Sequence, residues 1–189
     1  MAITQPIRSG RDVRKLEAYY LMRGEWRNYL LVVSGIHTAL RISDLLRLTW
    51  DDVYDFQRRT FRKEVVLNEG KTRKEKAFPI NKRMLTALNR CLHLAQSGQA
   101  LFLSRKGGSI GRVQAYRIIR AAAEALRFCF RVSCHSLRKT FGYMAWKSGI
   151  SPAVIMEVYN HSHFAITRRY LGVAKDDTDE VYFLMATIL

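Results

Sequence analysis

The chain is short of the features that would place it outside the cell or in a bilayer. It has three cysteines, Cys91, Cys129 and Cys134. An odd number with no Cys-x-x-Cys pair argues against a disulfide framework or a zinc site, and leaves idle thiols in a reducing compartment. No apolar run approaches the ~20 residues that span a membrane. Met1 to Gly10 lacks the apolar core of a signal peptide. Internal repeats, low-complexity tracts and flexible linkers are missing as well. Acidic residues are scarce: 16 Asp and Glu stand against 32 Lys and Arg, a formal net charge of +16. Hydrophobic residues still make up 48% of the 189, which excludes a disordered basic tail and suits one compact domain or two small ones. The expectation is a soluble, cytoplasmic protein that faces a polyanion, with nucleic acid first among the candidates. Charge alone does not separate DNA from RNA or from an anionic membrane surface.

What is present reads mostly as helix. Ser9 or Asp12 caps a first helix to about Leu21, closed by Gly24, and a second covers Trp26 to about Ala39. Ser43 offers an N-cap for Asp44 to Leu48, with Asp44 placed against the helix dipole. After Trp50 the pattern changes. Thr60 to Leu67 and Lys76 to Ile80 are β-like, and Asn68 to Lys74 between them reads as a hairpin turn. Leu101 to Leu103 is expected to add a third strand. Helices follow from Lys82 to about Leu94, from a Ser109 cap to about Leu126, from a Ser133 cap to Gly149, and from Ser151-Pro152 to a left-handed Asn160. The fold class predicted is α+β, mainly α-helical, with a small three-stranded antiparallel sheet.

Several residues could carry chemistry. His135 and Arg138 lie three apart near the start of a helix, so one face offers an imidazole beside a planar guanidinium fork suited to phosphate oxygens. Arg41 sits in the apolar run Ala39-Leu40-Arg41-Ile42 and either snorkels outward or is held by partners such as Asp44. Lys71 stands in the hairpin turn among Arg73, Lys74 and Lys76, a charge run that can equally be solvated. His161 follows Asn160 at a helix junction, and Tyr170 comes nine residues later. His161-x-His163 has no third ligand at a suitable spacing for a metal. Each feature taken singly stays ambiguous.

In order and spacing, Ala39-Leu40-Arg41-Ile42-Ser43-Asp44-Leu45-Leu46, Lys71-Thr72, His135-Ser136-Leu137-Arg138-Lys139-Thr140-Phe141, and Asn160-His161-Ser162 through Arg169-Tyr170-Leu171 resemble the tyrosine recombinase, or phage integrase, family. The likeness runs from roughly Asp12 to Val173. It implies a DNA breaking-rejoining catalytic domain in which Arg41 and Arg138 clamp the scissile phosphate and His161 is a further phosphate ligand. Tyr170 is the implied nucleophile, Lys71 the general acid for the leaving 5′-hydroxyl, and His135 the accompanying acid/base group. Asp44 supports the site. The implied reaction passes through a 3′-phosphotyrosine, and because the ester conserves the bond energy it needs no ATP, metal or other cofactor. The resemblance further implies double-stranded DNA as partner, a mobile element as source, and a bacterial or phage-encoded, nucleoid-associated protein.

The departures matter as much. Tyr159-Asn160 replaces the Leu-Gly common before the second histidine, and His163 stands where a small polar residue is usual. The length leaves no room for the amino-terminal core-binding domain of most relatives, so residues 1–189 are expected to be the catalytic domain alone. After the polar stretch Lys175 to Glu180, the terminus Val181 to Leu189 is strongly apolar. Such a tail docks on its own domain or, as the family implies, on a neighbouring protomer of a tetramer on DNA. A type IB topoisomerase, which shares the catalytic logic, and a non-catalytic DNA-binding module are the competing readings.

Overall fold

Side chains that cap helix ends set much of the architecture. In the computed structural model, which describes residues 4–70, 74–172 and 182–185, Ser9 accepts the Asp12 amide at the start of α1 (Gly10–Met22). Asn81 accepts the Met84 amide before α4 (Lys82–Arg90), and Ser151 the Ala153 amide before α7 (Pro152–Tyr159). Such a cap is worth about 1 kcal/mol, enough to fix where a helix begins. Two caps differ from expectation. Ser43 lies inside the short α3 (Ile42–Leu45), whose N-cap is Arg41, and Gly111 rather than Ser109 precedes α5 (Arg112–Ala125).

The core is organised on α2 (Trp26–His37). Every residue of it from Asn28 to Ile36 is buried, as befits a helix apolar on most of its circumference. Helices α1, α4 and α6 (Cys134–Lys147) pack around it. At the α2–α6 crossing Gly35 lets the helices approach closely, since a Cβ there would stand 2.6 Å from Leu137 Cδ1 and displace that side chain. A smaller apolar cluster of Ala39, Ile155, Tyr159 and Leu171, with Phe141 and Tyr170 at its margin, joins α6 to α7 and to α8 (Phe164–Leu171). Residues ahead of α1 are laced to the same region. The Ile7 amide donates to Thr140 Oγ1 (2.9 Å), Lys139 Nζ to the Thr4 carbonyl (2.6 Å), and Arg8 to the Gly172 carbonyl.

The β structure among the described residues is two antiparallel ribbons. β1 (Tyr54–Asp55) pairs with β2 (Thr60–Phe61), and β3 (Glu64–Asn68) with β4 (Glu75–Pro79), Val65 opposite Phe78. The run expected as one strand, Thr60 to Leu67, breaks at Arg62-Lys63 so that its two halves serve different ribbons. Leu101 to Leu103 is not a third strand. The segment touches its neighbours only through single bridges, Thr49 to Ala100 and Leu103 to Ser109, while Leu101 and Phe102 are buried in the core. Burial, not sheet pairing, explains its apolar composition. The mainly helical α+β class stands. No helix among the described residues is long and apolar enough to cross a membrane.

Candidate active site

Arg138 is the buried centre of the candidate site. It lies on the second turn of α6 and is 1% exposed. Dehydrating a guanidinium is costly unless its donors are used, and this one spans two main-chain acceptors. Nη1 donates to the carbonyl of Ala39 and Nη2 to that of Tyr159 (3.0 Å). Its carbon lies 4.7 Å from the Tyr159 ring centre and 5.7 Å from that of Tyr170. The Nε–H is buried and finds no acceptor among the described residues. Burial first, and the Arg41 charge second, lower the guanidinium pKa.

Both acceptors sit at special backbone positions. Ala39 has φ 54° between α2 and α3, and the Tyr159 carbonyl precedes Asn160, the left-handed cap of α7 (φ 55°, ψ 45°). The Asn that replaces the family's Gly therefore does make the turn, as its tolerance for this conformation predicts. Tyr159 in place of Leu is also accounted for. Its hydroxyl donates to the Arg138 carbonyl (2.6 Å) and accepts the Gly142 amide (2.8 Å). That contact needs glycine, since a Cβ at position 142 would come within 2.3 Å of the Tyr159 oxygen.

Arg41 reaches the site from the start of α3. Its Nη1 lies 2.8 Å from Glu69 Oε1, an ion pair held by charge more than by a linear hydrogen bond. The expected partner, Asp44, is used differently. Asp44 Oδ1 accepts the Gly70 amide (2.9 Å) and an Arg47 Nη2 donor (3.2 Å), so it anchors the neck of the β3–β4 hairpin. Glu69 was not evident from sequence, where Asn68-Glu69-Gly70 reads only as turn. Its single signal is an acidic residue next to a cluster of bases.

His161 follows Asn160, and its ring centre lies 4.9 Å from that of Tyr170. Its Nδ1 is 3.0 Å from Thr167 Oγ1, one turn ahead of Tyr170 on α8. A Thr167 hydroxyl that donates to Nδ1 would place the ring proton on Nε2. Burial, then Arg138 and Arg41, push the imidazole pKa down to about 4, so the ring is neutral at pH 7. The unfolded chain takes up that proton near 6.5; acidification from there to about 4 therefore removes stability. His135, on the first turn of α6, is half-buried, and burial followed by Lys139 and Arg138 lowers its pKa. Thr167, fully buried, is a second residue that sequence reasoning passed over.

A further base lies close by. Lys76, on β4, donates from Nζ to the Val158 carbonyl (2.7 Å) at the end of α7. Burial, with Arg138 next, lowers its pKa to about 8. The structure thus brings Arg41, from the start of α3, Arg138 of α6, His161 of the α7–α8 junction and Tyr170 of α8 into one cluster, with His135 one turn from Arg138 and Asp44 beneath the hairpin neck. Lys71 lies outside the described residues, as does most of the tail. Of the tail, Tyr182–Met185 is helical and exposed.

Comparison with known proteins bears on the family and the fold. The phage integrase family model matches residues 13–177. The chain is 35% identical over 183 residues to a probable integrase/recombinase, YoeC, of Bacillus subtilis, covering 96% of this chain and 97% of that one. It is 31% identical over 167 residues to the tyrosine recombinase XerD of Mycobacterium leprae, covering 82% of this chain and 51% of the relative, so it spans about half that protein's length. Among solved structures, XerA recombinase superposes with a TM-score of 0.78 at 20% identity, over 98% of this chain and 65% of that one. A lambda integrase dimer bound to a COC′ core site superposes at 0.69 with 18% identity, over 90% and 49%. At such identities the structural likeness speaks for the fold, while the family match over most of the sequence speaks for descent: the chain belongs to the phage integrase family.

Proposed function

We propose that the protein cuts and rejoins double-stranded DNA through a covalent 3′-phosphotyrosine, as a site-specific recombinase or integrase. The observation that carries this reading is the convergence on Tyr170 of neutral His161 and a buried Arg138, whose Nε–H finds no acceptor among the described residues, with Arg41 near enough to depress the pKa of both. A phenol with pKa ~10 is a weak nucleophile at neutral pH, so it needs a cationic pocket and a proton acceptor. In the proposed step the Tyr170 oxygen forms a bond to phosphorus as the bond from phosphorus to the 5′-oxygen breaks. The phenolic proton passes to His135, whose pKa burial lowers, and Lys71 protonates the leaving 5′-oxygen. Arg41, Arg138 and the Nε2–H of His161 stabilise charge on the non-bridging oxygens; such preorganised donors are each worth about 10²–10³-fold in rate. A 5′-hydroxyl of the partner strand then attacks the ester and releases Tyr170, with no cofactor consumed. The net charge of +16 supplies phosphate contacts along the duplex.

The test is a nicked DNA duplex carrying the cognate site, in which the cut strand diffuses away and traps the ester. A denaturant-resistant protein–DNA adduct is the expected result; its absence on every cognate site tested ends the enzymatic reading. Exchange between two sites, as against relaxation of one supercoiled circle, separates recombinase from topoisomerase.

Thr167→Val removes the hydroxyl that orients His161 while keeping the side chain's shape. Single-turnover cleavage is expected to fall about tenfold, equivalent to ~1.4 kcal/mol of transition-state stabilisation, with DNA affinity unchanged. Equal rates for variant and wild type would show that Thr167 does not set the imidazole.

The apolar tail is proposed to dock on a neighbouring protomer, coupling cleavage to assembly of a tetramer on DNA. Its exposed Tyr182 and Phe183, 78% and 74% accessible, are the support, since clustered apolar surface of this kind marks an interaction site. Truncation before Val181 is expected to leave binding of a single half-site intact and to lower the yield of higher-order complexes in gel-shift titrations. Unchanged assembly would remove the tail from that role.

A further inference from the structure

One buried carboxylate beside the pocket has no part in the chemistry above. Glu69, at the end of β3, is 1% exposed. A carboxylate there is costly twice over, once in lost hydration and again in repulsion of the phosphate that the pocket is to receive. Its contacts explain its presence. Oε1 meets Arg41 Nη1 at 2.8 Å, and Oε2 accepts from Asn160 Nδ2 at 3.3 Å. Its amide donates to the Lys74 carbonyl (2.9 Å), extending the β3–β4 pairing beyond Asn68 and Glu75. Two neighbouring contacts brace the same neck: Gly70 N–H to Asp44 Oδ1, and Lys76 Nζ to the Val158 carbonyl. Three pieces of chain far apart in sequence therefore meet at one residue: the start of α3 with Arg41, the neck of the β3–β4 hairpin, and the cap that leads to His161.

The geometry points to Glu69 as a positioning residue for DNA cleavage, whose carboxylate fixes Arg41 and the Asn160–His161 junction against the hairpin neck before DNA arrives. The inference rests on the function proposed above. It also gives Asn160 a second task. Glycine would make the left-handed turn equally well, but only a residue with an amide can make the turn and donate to Glu69. The carboxylate takes one edge of the Arg41 guanidinium and leaves the remaining N–H groups for a phosphate.

Glu69→Gln tests this, because it keeps the shape and an acceptor for Asn160 but removes the charge that holds Arg41. Single-turnover cleavage of the nicked substrate at saturating protein is expected to fall tenfold or more, with DNA affinity unchanged or tighter. Asn160→Gly is expected to lose less, and the double variant to be no slower than Glu69→Gln, because both changes break one network. Cleavage by Glu69→Gln at the wild-type rate overturns the inference, and so does a loss seen wholly as weaker DNA binding. Amide hydrogen exchange of DNA-free protein provides a second measure. In Glu69→Ala the Gly70 and His161 amides are expected to lose protection together while α2 keeps its own. Unchanged protection at both overturns the inference, and loss of protection in α2 as well reduces Glu69 to a residue of general stability. Failure of the wild type to form any adduct would defeat the proposed function alone, since exchange still decides whether Glu69 ties the three segments.

Discussion

Tyr170→Phe is expected to fold, to bind DNA, and to form no covalent adduct. The change removes one oxygen from a ring that is only partly buried at the edge of the α6–α7–α8 cluster, so stability should move by less than about 1 kcal/mol. Trapping of the ester on nicked DNA, by contrast, should drop by about 10⁴-fold or more, the scale seen when a nucleophile is deleted from an otherwise intact site. The assay reads the slow-migrating adduct on a denaturing gel, with thermal melting as the control for folding. An adduct that persists in Tyr170→Phe would reassign the nucleophile. Tyr159, the nearest other phenol at 5.4 Å between ring centres, is a poor substitute. It is buried, its hydroxyl is committed to the α6 backbone, and burial drives its pKa upward.

Arg138→Ala is expected to damage both stability and catalysis. The carbonyls of Ala39 and Tyr159 lose their donors in a dry environment, and each orphaned acceptor costs about 1–3 kcal/mol. Loss of the guanidinium between the Tyr159 and Tyr170 rings adds a packing defect. Denaturant unfolding should show roughly 3 kcal/mol of lost stability, and cleavage per folded molecule should fall at least about 10³-fold. Arg138→Lys separates the two effects. It keeps the charge but cannot fork to two carbonyls while leaving a further donor for phosphate, so it should recover part of the stability and little of the rate. Cleavage by Arg138→Ala within tenfold of wild type would remove Arg138 from the phosphate clamp.

Sequence carried the periodic and punctuated parts of this molecule well. Ser9, Ser133, Gly149, Ser151-Pro152 and Asn160 act locally, through caps and left-handed turns, and their effects are visible in a window of a few residues. Arg41, Arg138, His161 and Tyr170 were recognisable because the family pattern preserves their order, and the fold brings them together. The misses have separate causes. Ser43 has the chemistry of a cap for a helix from Asp44, but Arg41 occupies that position and the helix begins two residues earlier, at Ile42. Leu101 to Leu103 has the composition of a strand because it is buried, and no local signal tells burial from pairing. Glu69 and Thr167 act on partners 28 and six residues away. Glu69 looks like turn filler until the fold sets α3 and Asn160 beside it.

The way Arg138 is held also shapes how freely this site can drift. Its two acceptors are main-chain oxygens, of Ala39 and Tyr159, and every residue type brings such an oxygen with it. Exchange of either side chain leaves the acceptor in place as long as the backbone keeps its course. The restriction falls instead on conformation, on the positive φ of Ala39 and of Asn160, where most side chains are strained by roughly 1–2 kcal/mol. Descendants of this sequence can vary the letters around the arginine widely, while the two bends that aim those oxygens at it stay fixed.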